Sequence, residues 1–164
     1  NPAQIIEKYL EWADAYQENQ ITIIYDTMWN GTRRMAEGIA EGIKSVDKDV
    51  TIKLYNAART DKNDIITEIF KSKAILVGSS TINKSILSAT ASILAMIKGL
   101  GLKNKKAAAF GSYGWSGESA KIITEELKQS KFQVVNDGIM ELWNPDEEAI
   151  ERCKEFGKEF VKKL

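Results

Sequence analysis

ITIIYDTMWNGTRRMAEGIAEGI, residues 21–43, runs from an apolar segment through a polar turn into an amphipathic helix. The apolar segment indicates a strand buried on both faces, because a strand covered on one face only would alternate apolar and polar residues. Beyond the turn, apolar residues recur at helical spacing, namely Met35, Ala36, Ile39, Ala40 and Ile43. The sequence therefore predicts a β-strand and an α-helix that are joined by a short turn.

The turn between this strand and this helix, Thr27 to Thr32, has the composition of a phosphate site. It lies at the positive end of the helix, where backbone N–H groups lack partners within the helix and can donate to an anion. Asn30 and Gly31 tolerate left-handed backbone angles, so the loop can curl and its amides can converge. The hydroxyls of Thr27 and Thr32 add further donors. The same residues would also suit an ordinary helix cap, and the turn alone leaves both interpretations open.

Four other kinds of site fit these residues poorly. A Walker-type loop needs a lysine after its last glycine, and none follows Gly31; a dinucleotide fingerprint needs three glycines where this turn has one. A phosphatase with a cysteine nucleophile would carry the thiol in this loop, whereas the only cysteine, Cys153, falls on a distant apolar stripe and is expected in the core. Asp26 could be a phosphoacceptor, but the third predicted strand ends in Ser79 and Ser80 instead of the acids that a metal needs.

Four more strands follow along the chain, and each is paired with a helix. The strands are predicted at residues 50–57, 73–80, 105–112 and 132–143, the last interrupted at residues 136–138. The helices are predicted at about residues 61–71, 89–100 and 118–130, with a closing helix that starts at Asn144-Pro145. Strict alternation predicts an α/β fold with a doubly wound five-stranded parallel sheet in the order 2-1-3-4-5 and helices on both faces.

Ligands of such sheets bind beyond the carboxyl ends of the strands, at the point where the strand order reverses. The loops after the first, third and fourth strands all emerge there, at residues 27–32, 80–85 and 112–119. The last two loops offer amides, hydroxyls and the rings of Tyr113 and Trp115, which suit a flat heterocycle. We therefore expect one crevice that is bounded by the three loops.

Trp115 stands among three glycines, Gly111, Gly114 and Gly117. They favour a ligand at this loop, because a close approach to the backbone needs residues without side chains. The alternative is that Trp115 is a surface aromatic that packs on its neighbours. Trp29 in the first loop also has two interpretations, as a residue that lines the site or as a roof over its own loop.

Three motifs, YDTMWNGTRRMA at 25–36, GSSTIN at 78–83 and FGSYGWSGES at 110–119, resemble the carboxyl-terminal flavodoxin-like domain of flavodiiron proteins, also called A-type flavoproteins. The likeness covers roughly residues 21–164. It implies a flavodoxin-like fold that binds FMN noncovalently. It also implies that electrons pass from rubredoxin or a similar donor to a non-haem diiron centre, where nitric oxide or dioxygen is reduced.

The resemblance also implies which residues bind FMN. Those of the first motif would hold the phosphate: Thr27, Met28, Trp29, Asn30, Gly31 and Thr32. The ring would lie between the two other motifs, with these residues around it: Ser80, Thr81, Ile82, Asn83, Ser112, Tyr113, Gly114, Trp115 and Gly117. The family more often has Gly-Asn where this chain has Asn30-Gly31, and commonly has a proline second in the middle loop. None of these residues is an obvious acid, base or nucleophile, so we assign no catalytic side chain and no metal ligand.

The diiron centre of the family lies on a separate, preceding metallo-β-lactamase-like domain, with histidine and carboxylate ligands. This chain has no histidine and begins at Asn1-Pro2. We therefore expect an electron-relay domain that was excised from a larger oxidoreductase. The domain by itself would not catalyse gas reduction. The larger oxidoreductase would form homo-oligomers. Residues 1–19 would be the connecting helix and residues 20–164 the FMN-binding domain. The alternatives are a free-standing flavodoxin, a flavodoxin-like NAD(P)H:quinone oxidoreductase, or a non-redox module for another phosphorylated ligand.

Composition limits the kinds of partner. The chain has 23 Lys and Arg against 23 Asp and Glu, which argues against a nucleic-acid surface. No apolar run approaches the length of a membrane span. A single cysteine excludes an internal disulfide and is usual in a reducing compartment, so we expect a cytoplasmic location with neither nucleic acid nor membrane as a partner.

Overall fold

A computed structural model describes residues 1–13 and 16–164, and seven β-strands and six α-helices follow one another along them. The strands are β1 Glu18–Asp26, β2 Thr51–Asn56, β3 Ser72–Ile82, β4 Ser85–Ile86, β5 Lys106–Tyr113, β6 Gln133–Val134 and β7 Ile139–Leu142. The helices are α1 Pro2–Ala13, α2 Gly31–Val46, α3 Lys62–Lys71, α4 Ser88–Leu100, α5 Ser119–Gln129 and α6 Glu147–Val161.

The strands form one sheet with the order β2-β1-β3-β5, and both β6 and β7 pair with β5 in parallel. The strands β6 and β7 are the two parts of the predicted fifth strand, so the predicted order 2-1-3-4-5 is confirmed. The chain leaves the sheet between them because the side chain of Asn136 accepts the N–H of Gly138 at 2.9 Å, a local turn that competes with strand pairing.

Strand β4 is an addition that the sequence did not predict. It pairs antiparallel with the end of β3, where Thr81 lies opposite Ile86 and Ile82 lies opposite Ser85. The two residues of the turn, Asn83 and Lys84, have positive φ values of 49° and 58°. Two successive positive φ values are typical of the tight turns that join short hairpins.

Apolar residues cover both faces of the sheet, as predicted. One layer packs α3, α4 and α5 on the sheet through residues such as Ile65, Ile97 and Ile123. The other layer packs α2 and α6 on it, and it includes Cys153 at 0% exposure. Burial raises the pKa of the Cys153 thiol to about 12, so this cysteine is an inert core residue.

Helices α2 and α6 approach each other backbone to backbone. A Cβ atom placed on Gly42 of α2 would overlap the carbonyl oxygen of Lys154 in α6. A Cβ atom placed on Gly157 of α6 would overlap the carbonyl oxygen of Ile39 in α2. The glycines therefore set the distance between these two helices, and with it the position of α6 against the helix that follows the predicted phosphate loop.

Helix α1 exposes an apolar face that is formed by Ile5, Ile6, Tyr9 and Leu10. Residues 14 and 15, which belong to the predicted connecting helix of residues 1–19, lie outside the described residues, and β1 begins at Glu18. The role of α1 as a connection to another domain stays a prediction. Within the described ranges, no helix combines the length and the apolar composition that crossing a membrane requires.

Candidate cofactor site

A crevice of about 600 Å³ lies at the carboxyl edge of the sheet, a volume within the usual range of small-molecule sites. The first, third and fourth predicted strands all contribute to it, through these residues: Met28, Trp29, Gly31, Ser80, Thr81, Ser112, Tyr113, Gly114 and Trp115. Trp143 and Asn144 complete the lining. A wider depression of about 830 Å³ lies along α6 and is lined by mostly charged residues, with Arg34 of α2 among them, and it shares no lining residue with the crevice.

The turn of residues 27–32 has the conformation that its composition predicts. Asn30 adopts a left-handed conformation, with φ 62°, and its side chain does not cap the helix. Within the described part of the chain, the N–H groups of Gly31 and Thr32 have no acceptor, and the first helical hydrogen bond runs from Arg34 N to Asn30 O at 3.0 Å. The amino end of α2 can therefore donate to a bound anion.

The hydroxyl of Thr27 is the most informative atom of this turn. It is buried, and it has no hydrogen-bond partner among the described residues. An unpaired buried hydroxyl costs about 1–3 kcal/mol, so such groups are rare unless a ligand or water completes them. The preceding Asp26 accepts the N–H of Thr27 at 2.9 Å. Burial raises the pKa of the Asp26 carboxyl group, and the bond from Thr27 offsets part of this increase.

Three hydroxyls tie the three predicted loops together. The hydroxyl oxygen of Thr32 lies 3.0 Å from that of Ser80 and 2.8 Å from that of Ser112, and the two serine oxygens are 3.2 Å apart. All three residues are buried, and Ser80 also accepts the N–H of Met28 at 3.3 Å. The predicted convergence of the loops on one crevice is confirmed. Thr32, unlike Thr27, uses its hydroxyl within the protein.

Three tryptophans stand around the crevice with their side chains largely exposed. Trp115 is 94% exposed and Trp29 is 78% exposed, whereas Trp143 is 59% exposed. Trp115 therefore does not pack closely on its neighbours, and Trp29 lines the crevice. Large exposed aromatic side chains around a concave site are typical of surfaces that contact a ligand or a partner.

The remaining predicted residues lie at the margins of the crevice. Ile82 and Asn83 belong to the end of β3 and the hairpin turn that follows it, beyond the residues that line the crevice. A Cβ atom on Gly117 would lie 3.5 Å from atoms of Tyr113 and Met140, which leaves ordinary space around this glycine. The roles of all the predicted site residues in binding stay predictions.

Two differences from the sequence-based expectation concern Gly111 and the β7–α6 turn. A Cβ atom on Gly111 would overlap the hydroxyl of Ser119 and lie 2.5 Å from the carbonyl oxygen of Ser79, so internal packing, and not a ligand, requires this glycine. Trp143 and Asn144 line the crevice although no motif pointed to them. A weak signal existed, because the fifth predicted strand ends at the same edge of the sheet, immediately before Asn144-Pro145.

The family model described as Flavodoxin matches residues 23–157. The chain belongs to the flavodoxin family. It is 49% identical over 162 residues to the anaerobic nitric oxide reductase flavorubredoxin of Pectobacterium carotovorum. The aligned residues make up 99% of this chain and 32% of that protein. Two solved structures are also similar. The rubredoxin oxygen:oxidoreductase of Desulfovibrio gigas has a TM-score of 0.90 at 35% identity, over 96% of this chain and 39% of that one. The flavodiiron protein of Giardia intestinalis has a TM-score of 0.91 at 28% identity, over 98% of this chain and 40% of that one.

These similarities confirm the resemblance to the flavodoxin-like domain of flavodiiron proteins, and with it the flavodoxin-like fold. The chain spans about a third of the length of the curated relative that it matches. FMN is the cofactor of such a domain, and the residues present suit it. The unpaired Thr27 hydroxyl and the open amino end of α2 suit its phosphate, and the aromatic crevice suits its ring.

Proposed function

We propose that this flavodoxin-family domain binds FMN in the crevice and relays electrons from a rubredoxin-type donor to a diiron centre on a separate domain. The observation that carries the proposal is the buried Thr27 hydroxyl without a partner among the described residues, next to the open amino end of α2. Bound flavin supplies redox chemistry that joins one-electron carriers to a two-electron reaction.

The chain's own residues would bind and orient the cofactor. The N–H groups of Gly31 and Thr32, with the hydroxyl of Thr27, would donate to the phosphate at the positive end of α2. The ring would lie between the end of β3 and the loop after β5, with Trp115 against it. An aromatic wall of this kind would keep water from part of the ring.

The partners belong to the same proposal. The diiron centre would lie on a metallo-β-lactamase-like domain in the part of the protein that precedes this chain, with residues 1–19 as the connection. The exposed apolar face of α1 supports this arrangement, because such a face is usually covered by another surface. We further propose a homo-oligomer in the cytoplasm, in which the partners of this domain are other proteins, not nucleic acid or membrane.

The relay is tested by measuring nitric oxide consumption under anaerobic conditions. We expect a rubredoxin-type donor to reduce the FMN-loaded domain, and we expect no sustained nitric oxide turnover, because the chain has no histidine to ligate iron. Adding a separately prepared diiron domain should restore turnover. Dioxygen consumption is a poor readout, since free reduced flavin also reacts with it.

The control for this experiment is the same mixture with flavin-free domain, which should stay inactive. Sustained turnover by the domain alone, with metal analysis showing no iron, would contradict the relay. A domain that remains colourless when FMN is added would favour a module for another phosphorylated ligand. Direct and rapid oxidation of NAD(P)H by the loaded domain would favour a quinone reductase.

Trp115 is predicted to contact the flavin ring. The fluorescence of bound flavin should be strongly quenched in the native domain and partly recovered in Trp115→Ala, with Trp115→Phe intermediate. The affinity for FMN should fall about three- to tenfold in Trp115→Ala, since an aromatic contact contributes about 0.5–1.5 kcal/mol beyond the area buried. Leu100→Ala, an exposed apolar residue at the end of α4, is the control. Unchanged fluorescence and affinity in Trp115→Ala would show that Trp115 is only a surface residue.

A further inference from the structure

The turn between β7 and α6 closes one side of the crevice. It consists of Trp143, Asn144, Pro145 and Asp146, and the first two line the crevice directly. The loop after β5 holds its first residue, because the N–H of Trp143 donates to the carbonyl oxygen of Tyr113 at 2.6 Å. The indole Cδ1 of Trp143 lies 3.7 Å from the Cβ position of Gly114. Trp143 is therefore attached to the loop that is expected to border the flavin ring.

The second residue of this turn reaches the other end of the crevice. A Cβ atom on Gly31 would lie 3.5 Å from the backbone nitrogen of Asn144 and 3.4 Å from Cδ of Pro145. Asn144 therefore touches the turn that opens α2, and its left-handed conformation, with φ 56°, is one that asparagine tolerates. Its own N–H group has no acceptor within the described ranges.

Arg34 connects this turn to α2. Its Nη1 donates to the side-chain oxygen of Asn144 at 3.3 Å, between residues far apart in the chain. Arg34 lies in the first turn of α2 and lines the neighbouring depression on α6, not the crevice itself, so this contact places a permanent positive charge beside the β7–α6 turn. Asn144 is exposed and Arg34 is half-buried, so this solvent-accessible bond contributes little to folding.

We propose that the β7–α6 turn is a fourth flavin-binding loop, in which Asn144 donates its backbone N–H at the phosphate end and Arg34 is the positioning residue that holds it there. This inference rests on the proposed function. The turn contacts Gly31 at the phosphate end, so it would strengthen the binding of FMN, which carries a phosphate, and not the binding of riboflavin, which has none.

Titration of the apoprotein with FMN and with riboflavin tests the role of Asn144. Asn144→Gly keeps the backbone N–H and the positive φ but loses the bond to Arg34. We expect FMN affinity to fall about tenfold, because the Asn144 N–H is no longer held in place to donate to the phosphate and a bond to a charged group is lost, and we expect riboflavin affinity to change by less than about twofold. Asn104→Gly is the matched control, because Asn104 also has a positive φ, of 63°, and precedes β5 at the opposite edge of the sheet.

A double-mutant cycle tests the positioning by Arg34. Arg34→Met should lower FMN affinity at least as much, because it also removes a positive charge near the phosphate end, and the double variant should lose little more than Arg34→Met alone, because both changes remove the same contact. Losses that multiply in the double variant would overturn the positioning role. Unchanged FMN affinity in both single variants would overturn the whole inference.

The two proposals fail in different ways. If the native domain binds FMN no better than riboflavin, the phosphate site itself is wrong. If the native domain prefers FMN and Asn144→Gly and Arg34→Met retain that preference, only the fourth loop is wrong. Arg34→Met lies on the surface of a helix, so it tests the inference even if Asn144→Gly disturbs the turn.

Discussion

Replacing Thr27 by valine is expected to lower the affinity for FMN by roughly ten- to a hundredfold, because a hydrogen bond to a charged group contributes about 1.5–3 kcal/mol. Valine keeps the shape of threonine and removes only the hydroxyl, which is buried and unpaired among the described residues. Riboflavin lacks the phosphate, so its affinity should hardly change. Calorimetric titration of the apoprotein with both flavins measures the difference.

Thr124→Val provides a matched control for this substitution. Thr124 lies on α5, outside the crevice lining, and its hydroxyl is also buried without a partner in the described structure. Removing an unpaired buried hydroxyl costs the apoprotein nothing and can stabilise it, so neither valine variant should unfold at a lower urea concentration than the native apoprotein. Only Thr27→Val should lower the affinity of the apoprotein for FMN. Equal losses for FMN and riboflavin would contradict the assignment of Thr27 to the phosphate.

The second large effect is expected for Gly42→Ala, which should lower the free energy of unfolding by about 3 kcal/mol. The added methyl group would overlap the main-chain carbonyl of Lys154, and a main chain inside a helix cannot rotate away as a side chain can. Helices α2 and α6 would have to separate, and the layer of apolar residues between them and the sheet would loosen. Urea denaturation of the apoprotein measures the effect.

Gly99→Ala is the control for Gly42→Ala, because it makes the same substitution in a helix at a position with open space. Gly99 lies in α4, and apart from its chain neighbours and the backbone of its own helix, no atom of the described residues lies within 4 Å of the position that its Cβ would take. Alanine at an open helical position is more favourable than glycine by about 0.5–1 kcal/mol, so this variant should be at least as stable as the native chain. Similar losses in both variants would show that the close contact of α2 with α6 does not limit stability.

Much of the fold could be predicted because burial leaves a periodic record in the sequence. The continuous apolar run before Asp26 predicted a strand covered on both faces, and the spacing of Met35, Ile39 and Ile43 predicted the buried face of α2. Strict alternation of strands and helices then allowed few topologies. The left-handed conformation of Asn30 also followed from local residue preferences, which need no knowledge of distant parts of the chain.

The features that were missed depend on contacts that no local pattern records. Strand β4 was missed because it pairs with the end of β3 through only two residue pairs, which is too short to leave a periodic pattern in the sequence. The position of Asn144 beside Gly31 depends on how α6 packs against α2, which involves opposite parts of the chain. Gly111 was counted among the three glycines that favour a ligand at this loop, because its true neighbours, Ser79 and Ser119, meet it only in the folded sheet.

The close packing of α6 on α2 has a consequence for how the protein is made. Ribosomes synthesise a chain from its amino end, so α2 leaves the exit tunnel before α6. Until α6 emerges, the apolar face of α2, with Met35 and Ile39, has no cover on that side. The turn before α6 also lines the crevice, so the crevice is complete only after that turn has left the tunnel. A cofactor can therefore meet the complete crevice only once nearly all of this domain has been synthesised.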